Sequence, residues 1–235
     1  MLTLRLAEDR GHADHGWLNA NHTFSFANYF DPKHMGFRSL RVLNDDRIAP
    51  SRGFGAHAHR DMEIITYMLE GKLAHKDNMG QARTLTTNMI QAMSAGTGVI
   101  HSEFNGSASE PCHLLQIWIE PSVQDVKPAY QEFAYDPQEK QGRFRLIAGP
   151  DRNPKEPAAF IYQDAYTYAA VLKPDQPLEH AISTGRHAWV HCAEGNIVLN
   201  GHAMKAGDGA AISDERALQI TGAGTGGEFL VFDLA

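Results

Sequence analysis

The chain has 235 residues, 43% hydrophobic and 21% charged, the balance of a globular protein long enough to bury a sizeable core without disulfide staples. No apolar run approaches the roughly 20 residues that a bilayer demands, which excludes a helical membrane span. The 28 acidic residues outnumber the 21 basic ones, for a net charge of −7, and the densest basic run is Gly142-Arg143-Phe144-Arg145, which argues against a nucleic-acid partner.

Helix signals are scarce. Short apolar or alternating runs bounded by glycine, proline, asparagine and aspartate recur instead, the pattern of an all-β sandwich or barrel. The opening segment has no basic stretch followed by an apolar one, so no secretory signal is expected. Ser39–Ile48 reads as a strand, and Gly55-Ala56-His57-Ala58-His59-Arg60 follows it. Glu63–Glu70 is a strong strand stopped by Gly71. A glycine-rich turn at Ala95–Gly98 leads into His101-Ser102-Glu103, and Leu114–Glu120 is a strand stopped by Pro121. Pro121–Pro157 loses the alternation and reads as a connector holding short helical or extended pieces. Ala188–Cys192, Asn196–Asn200, Leu218–Thr221 and Glu228–Leu234 resume the strand pattern, with a tight-turn signal at Asn200-Gly201.

Two short echoes link the halves. Leu69-Glu70-Gly71-Lys72-Leu73 returns as Ala193-Glu194-Gly195-Asn196-Ile197, and Ala95–Ile100 returns as Ala206–Ala211, in the same order. A duplicated barrel follows, with a boundary near Tyr130 that gives domains 1–130 and 131–235, the second including the connector to residue 157. Cys112 and Cys192 stand too far apart to build a disulfide framework, so a reducing cytoplasm is the expected compartment. Cys112 reads as a buried or edge cysteine rather than a nucleophile.

The chemistry is expected among the 13 histidines. Residues two apart on a strand point to one face with Cα atoms roughly 7 Å apart, so His57 and His59 can converge on one ion. His101 and Glu103 repeat that spacing. If both strands line one barrel interior, they offer three nitrogens and one carboxylate, a set suited to a redox-capable divalent ion with open positions, such as Fe(II). Glu63 has the face parity of His59 but lies about 13 Å further along an unbroken strand. Glu103 is therefore the expected acidic ligand, and Glu63 either orients a ligand imidazole or pairs with a cation at the surface. Phe24, Phe26, Tyr29 and Phe30 read as core, with the alternative that some wall a flat aromatic ligand.

AHAHRDMEIITYMLEG and QAMSAGTGVIHSE resemble the paired motifs of the cupin superfamily, and more specifically those of the pirin family of bicupins. His22–Asp46 and Leu114–Pro121 are also similar to pirin segments, so the resemblance covers most of residues 1–121 and returns weakly at the C-terminal end. It implies an all-β bicupin, two double-stranded β-helix (jelly-roll) barrels in one chain, with one mononuclear metal held by His57, His59, His101 and Glu103. Many cupins take the acidic ligand from the place of Glu63, whereas pirins take it from the place of Glu103. At the corresponding positions of the second copy stand Ala181, Ser183 and Ile212, so that barrel is expected to carry no metal.

The segments resemble in particular those of bacterial pirin-like proteins with quercetin dioxygenase activity. This implies an oxidoreductase that opens the central ring of a flavonol with O2 and releases CO. Fe(II) is the expected ion, with Zn, Cu, Ni, Co or Mn as alternatives, and Glu103 doubles as ligand and catalytic base. The alternative is a metal-containing binding, regulatory or redox-sensing protein with a protein partner, since some pirins act in that way. A chain with two barrels is compatible with a monomer.

Overall fold

The computed structural model describes residues 1–235 and contains strands and two single 3-10 turns. The strands of the first half are β1 (Leu2–Arg5), β2 (Gly11–Asp14), β3 (Leu18–His22), β4 (Leu40–Ile48), β5 (Gly53–His59), β6 (Glu63–Glu70), β7 (Lys72–Asp77), β8 (Ala82–Thr86), β9 (Met89–Ser94), β10 (Val99–Asn105), β11 (Cys112–Ile119) and β12 (Ala129–Ala134). Those of the second half are β13 (Arg145–Gly149), β14 (Ala159–Phe160), β15 (Ala165–Leu172), β16 (Pro177–Ala181), β17 (His187–Leu199), β18 (His202–Lys205), β19 (Gly209–Ile212) and β20 (Ala217–Leu234). No helix is long and apolar enough to cross a membrane.

Two compact units divide the chain. One comprises residues 11–135 and 159–163, the other residues 1–10, 136–158 and 164–235. The division expected after residue 130 falls inside β12, which pairs with β9 from Ala129 to Ala134. The connector holds β12, a 3-10 turn over Pro137–Lys140 and β13. Asp136 caps that turn by accepting from the Gln138 N–H, and Glu139 accepts from the Asp136 N–H, so two orphan donors are satisfied reciprocally.

In the first unit a seven-stranded sheet runs β12-β9-β6-β11-β4-β3-β2 and a four-stranded sheet runs β5-β10-β7-β8. β5 and β6 are adjacent in sequence yet lie in different sheets, because the chain turns at Arg60–Met62 with Asp61 at φ +46°. The unit's buried apolar residues include one cluster around Leu18, Met68, Leu73 and Leu114 and another around Ile64, Met93 and Val99. Buried polar side chains, among them His75, Gln91, His101 and Glu103, accompany them.

The second unit is organised on the sheet path β1-β19-β17-β20-β15-β13, with β16 on β20 and β18 on β17. Its interior is a continuous apolar cluster that includes Leu172, Val190, Ile197, Ile212, Ile220, Phe229 and Val231. The sequence reads two short strands in each of β17 and β20 where the structure has one long one. In β17 the break is a bulge between Gly195 and Asn196. Gly195 has φ +69° there, and a Cβ would lie 2.1 Å from the Gly226 carbonyl oxygen, so only glycine fits.

Candidate metal centre

β5 and β10 pair antiparallel, with His57 opposite His101. Strand alternation turns His57 and His59 to one face, and the pairing brings His101 against both. The ring centroids are 4.8 Å (His57–His59), 4.4 Å (His57–His101) and 4.9 Å (His59–His101) apart. Each ring offers a nitrogen within 4.8 Å of those of the other two, a set that could hold one ion.

Hydrogen bonding selects the free nitrogens. His57 Nδ1–H donates to the Gly55 carbonyl at 2.8 Å, which leaves Nε2 as a lone pair. His75 on β7 donates from Nε2 to Asp77 Oδ2 at 3.2 Å, so its Nδ1 accepts from His101 Nδ1–H at 3.5 Å. His101 Nε2 is then a lone pair, buried and without any hydrogen-bond partner. An orphaned imidazole nitrogen facing two further imidazoles is the arrangement a divalent cation satisfies. Burial, then the neighbouring His57, pulls His59 down to about 4. Burial, with the His57, His59 and His75 rings, pulls His101 down to about 3. Both rings are neutral at physiological pH, the state in which imidazole binds metal.

Glu103 is 2% exposed on β10, past a bulge between His101 and Glu103. Gln116 Nε2 donates to Oε2 at 2.9 Å and Gln91 Nε2 to Oε1 at 3.4 Å. Thr66 ties the two amides together, accepting from Gln91 and donating to Gln116. Burial pushes the carboxyl up to about 7, against the lowering effect of the Gln91, Gln116 and Thr66 hydrogen bonds. The Glu103 carboxylate groups with His101 and His75 within 4.8 Å, and it lines the same cavity as His57 and His59. His75 is the site residue that sequence reasoning missed. It sits in a plainly alternating strand, and only the pairing of His75 with Glu103 across β7 and β10 brings it to the centre.

Glu63 takes neither of its expected roles. It is buried, and its carboxylate accepts from Ser94 Oγ at 2.7 Å. Cys112 is fully buried and its thiol is pushed up to about 12 by burial, then by the Glu103, Glu70 and Asp46 charges, so it is no nucleophile.

His57 and His59 open onto a cavity of about 410 Å³, within the range of small-molecule sites. One wall is β5 and Glu103; the other is Asn44 and Asp46 of β4 with Gln116 and Trp118 of β11. Aromatic rings close it, with Trp17 edge-on to Phe54 at 5.3 Å and Phe26 edge-on to Trp118 at 5.3 Å. Trp118 also packs against His59 at 4.9 Å. A second cavity of about 460 Å³ shares Trp17, Phe26 and Phe54 and adds His12, His15, His22 and Tyr29. Of the four early aromatics, Phe24 is core, Phe26 and Tyr29 line cavities, and Phe30 is 71% exposed. Asp46, 4% exposed, is pushed up to about 8 by burial, then by the Asp45 and Glu103 charges.

The family model described as Pirin matches residues 3–119, and that described as Quercetinase C-terminal cupin domain matches residues 146–234. A protein of Escherichia coli strain K12 named quercetin 2,3-dioxygenase is 45% identical, over 100% of this chain and 99% of its own length. A Pirin-like protein of Caulobacter vibrioides is 40% identical over 90% of each chain. The crystal structure of YhhW from E. coli superposes with a TM-score of 0.95 at 44% identity, covering 100% of this chain and 98% of YhhW. The structure of the bacterial pirin YhhW in complex with nickel(II) superposes with a TM-score of 0.93 at 43% identity, covering 100% and 99%.

Proposed function

The chain belongs to the pirin family of bicupins, and on that premise we propose that it is a metal-dependent dioxygenase that opens the central ring of a quercetin-type flavonol, incorporating O2 and releasing CO. The observation that carries the reading is the orphaned His101 Nε2 among converging imidazoles beside an aromatic-walled cavity. His57, His59, His101 and Glu103 hold the ion in this proposal, one per chain, and the apolar interior of the C-terminal barrel holds none. A divalent ion at these residues supplies Lewis acidity toward a phenolic oxygen and a redox partner for O2, with Fe(II) the first choice.

The protein's own groups account for the rest. Edge-on aromatic pairs leave a slot that receives a flat polyphenol and excludes water. Glu103, whose carboxyl burial raises and a bound cation would lower, takes the proton of the substrate's 3-hydroxyl at a carboxylate oxygen. Gln91 and Gln116 hold that carboxylate in place while it changes charge. His75 and Asp77 keep the His101 ring in one tautomer and orientation. Two free, buried cysteines support a cytoplasmic setting.

Quercetin consumption and CO formation by the Fe(II)-loaded protein in air test the proposal. We expect O2-dependent CO release that falls at least about 100-fold in Glu103→Ala, the scale of losing a positioned base. Absence of turnover with Fe(II), Ni(II), Co(II), Mn(II) and Cu(II) in turn would replace it with the binding or redox-sensing reading.

A further inference from the structure

We propose that Asp46 is the polar recognition residue of the substrate cavity, accepting or sharing a hydrogen bond with a phenolic hydroxyl of the ligand; the inference rests on the flavonol reading of the same site. Asp46 stands on β4 of the seven-stranded sheet, whereas His57, His59, His101 and Glu103 stand on the four-stranded sheet. Both sheets line the one cavity, so a molecule that meets the histidines with one end presents its remaining edge to β4 and β11.

The polar neighbours of Asp46 are already engaged. Asn44 Oδ1 accepts from His22 Nδ1–H at 2.9 Å, Asp45 Oδ1 accepts from His113 Nε2–H at 2.7 Å, and Gln116 donates to Glu103. Asp46 Oδ1, by contrast, is buried and has no hydrogen-bond partner. A carboxyl oxygen withdrawn from water and left unpaired is costly, and one on a residue that lines a cavity has a ready partner in a ligand that fills it. A phenolic hydroxyl is both donor and acceptor, so it pairs with the carboxyl whether that group is ionised or protonated. A hydrogen at the same place can neither donate nor accept. Asp46 therefore selects for hydroxylation of the aromatic ligand at a position other than the 3-hydroxyl that Glu103 serves.

The test is equilibrium binding without oxygen, read by quenching of tryptophan fluorescence in the metal-loaded protein. Quercetin is compared with 3-hydroxyflavone, which keeps only the 3-hydroxyl, in the wild type, Asp46→Asn and Asp46→Leu. We expect the wild type to prefer quercetin by about tenfold or more, the scale of one hydrogen bond made or lost. Asp46→Leu should abolish that preference by weakening quercetin alone, with 3-hydroxyflavone held within about twofold. Asp46→Asn, nearly isosteric and still able to hydrogen-bond, should retain part of it and serves if the leucine variant does not fold. An unchanged preference in both variants, equal weakening of both ligands, or no wild-type binding of either would overturn the inference. Asp46-dependent binding without CO release in air would sink the dioxygenase reading and leave Asp46 in its role. CO release with a preference that ignores Asp46 would do the reverse.

Discussion

Glu63 sits on β6, 2% exposed, with Ser94 Oγ donating to its carboxylate. Burial pushes the carboxyl up to about 7, outweighing the hydrogen bonds from Ser94 and the Tyr162 backbone. The folded chain thus holds this proton more tightly than the unfolded chain, whose carboxyl titrates near 4.5. Stability is fully present below that value and falls as pH rises toward 7, by up to about 3 kcal/mol for one group. Glu63→Gln keeps an oxygen for Ser94 and removes the titration. Urea unfolding of the metal-free protein at pH 5 and pH 8 should show a smaller loss in the variant than in the wild type, and equal losses would refute this account. At this scale the shared face of His57 and His59 was legible, because strand alternation turns residues two apart the same way. His75, Asp46 and Gln116 were not, since each reaches the site only through how separate strands pair or face one another.

The register of β5 against β10 decides whether the imidazoles meet. Gly53 begins β5 opposite Phe104, and a Cβ there would lie 2.1 Å from the Glu103 carbonyl oxygen. Gly53→Ala should force the two strands apart, at a cost of about 1–3 kcal/mol, and weaken metal binding with it. Denaturant unfolding and a metal titration check this, and a variant as stable and as tightly metallated as the wild type would contradict it. Gly71, at φ +80° between β6 and β7, answers a similar constraint: a Cβ would lie 2.6 Å from the Pro111 carbonyl oxygen. Glu63–Glu70 was read to its observed ends because β-rich residues stop at a glycine that the turn requires. β17 and β20 were read as fragments because a bulge and a chain break leave the same interruption in a hydrophobic pattern.

For the whole molecule, the least local feature is the first strand. β1 pairs with β19, Leu2 opposite Ile212 and Arg5 opposite Gly209, and Leu2 and Leu4 pack on the C-terminal core. Removing Met1–Leu6 uncovers the β19 edge and takes away Leu2 and Leu4, each contributing on the order of 1 kcal/mol. Amide exchange at Gly209–Ile212 should then run roughly tenfold faster or more, and unchanged protection would mean that β1 contributes nothing to that sheet.

The sequence by itself determined the all-β class, the duplication and the two histidine-bearing strands, because alternation, turn residues and short repeats are local properties of the chain. It also determined the family, since AHAHRDMEIITYMLEG and QAMSAGTGVIHSE are contiguous segments. Tertiary structure alone decided which strands share a sheet, that the first ten residues lie with the C-terminal unit, and that β4 and β11 face the histidines across a cavity. The reason is physical: pairing between distant strands is selected by burial and register over the whole chain, and a period of two says only which face a side chain takes, never what it meets there.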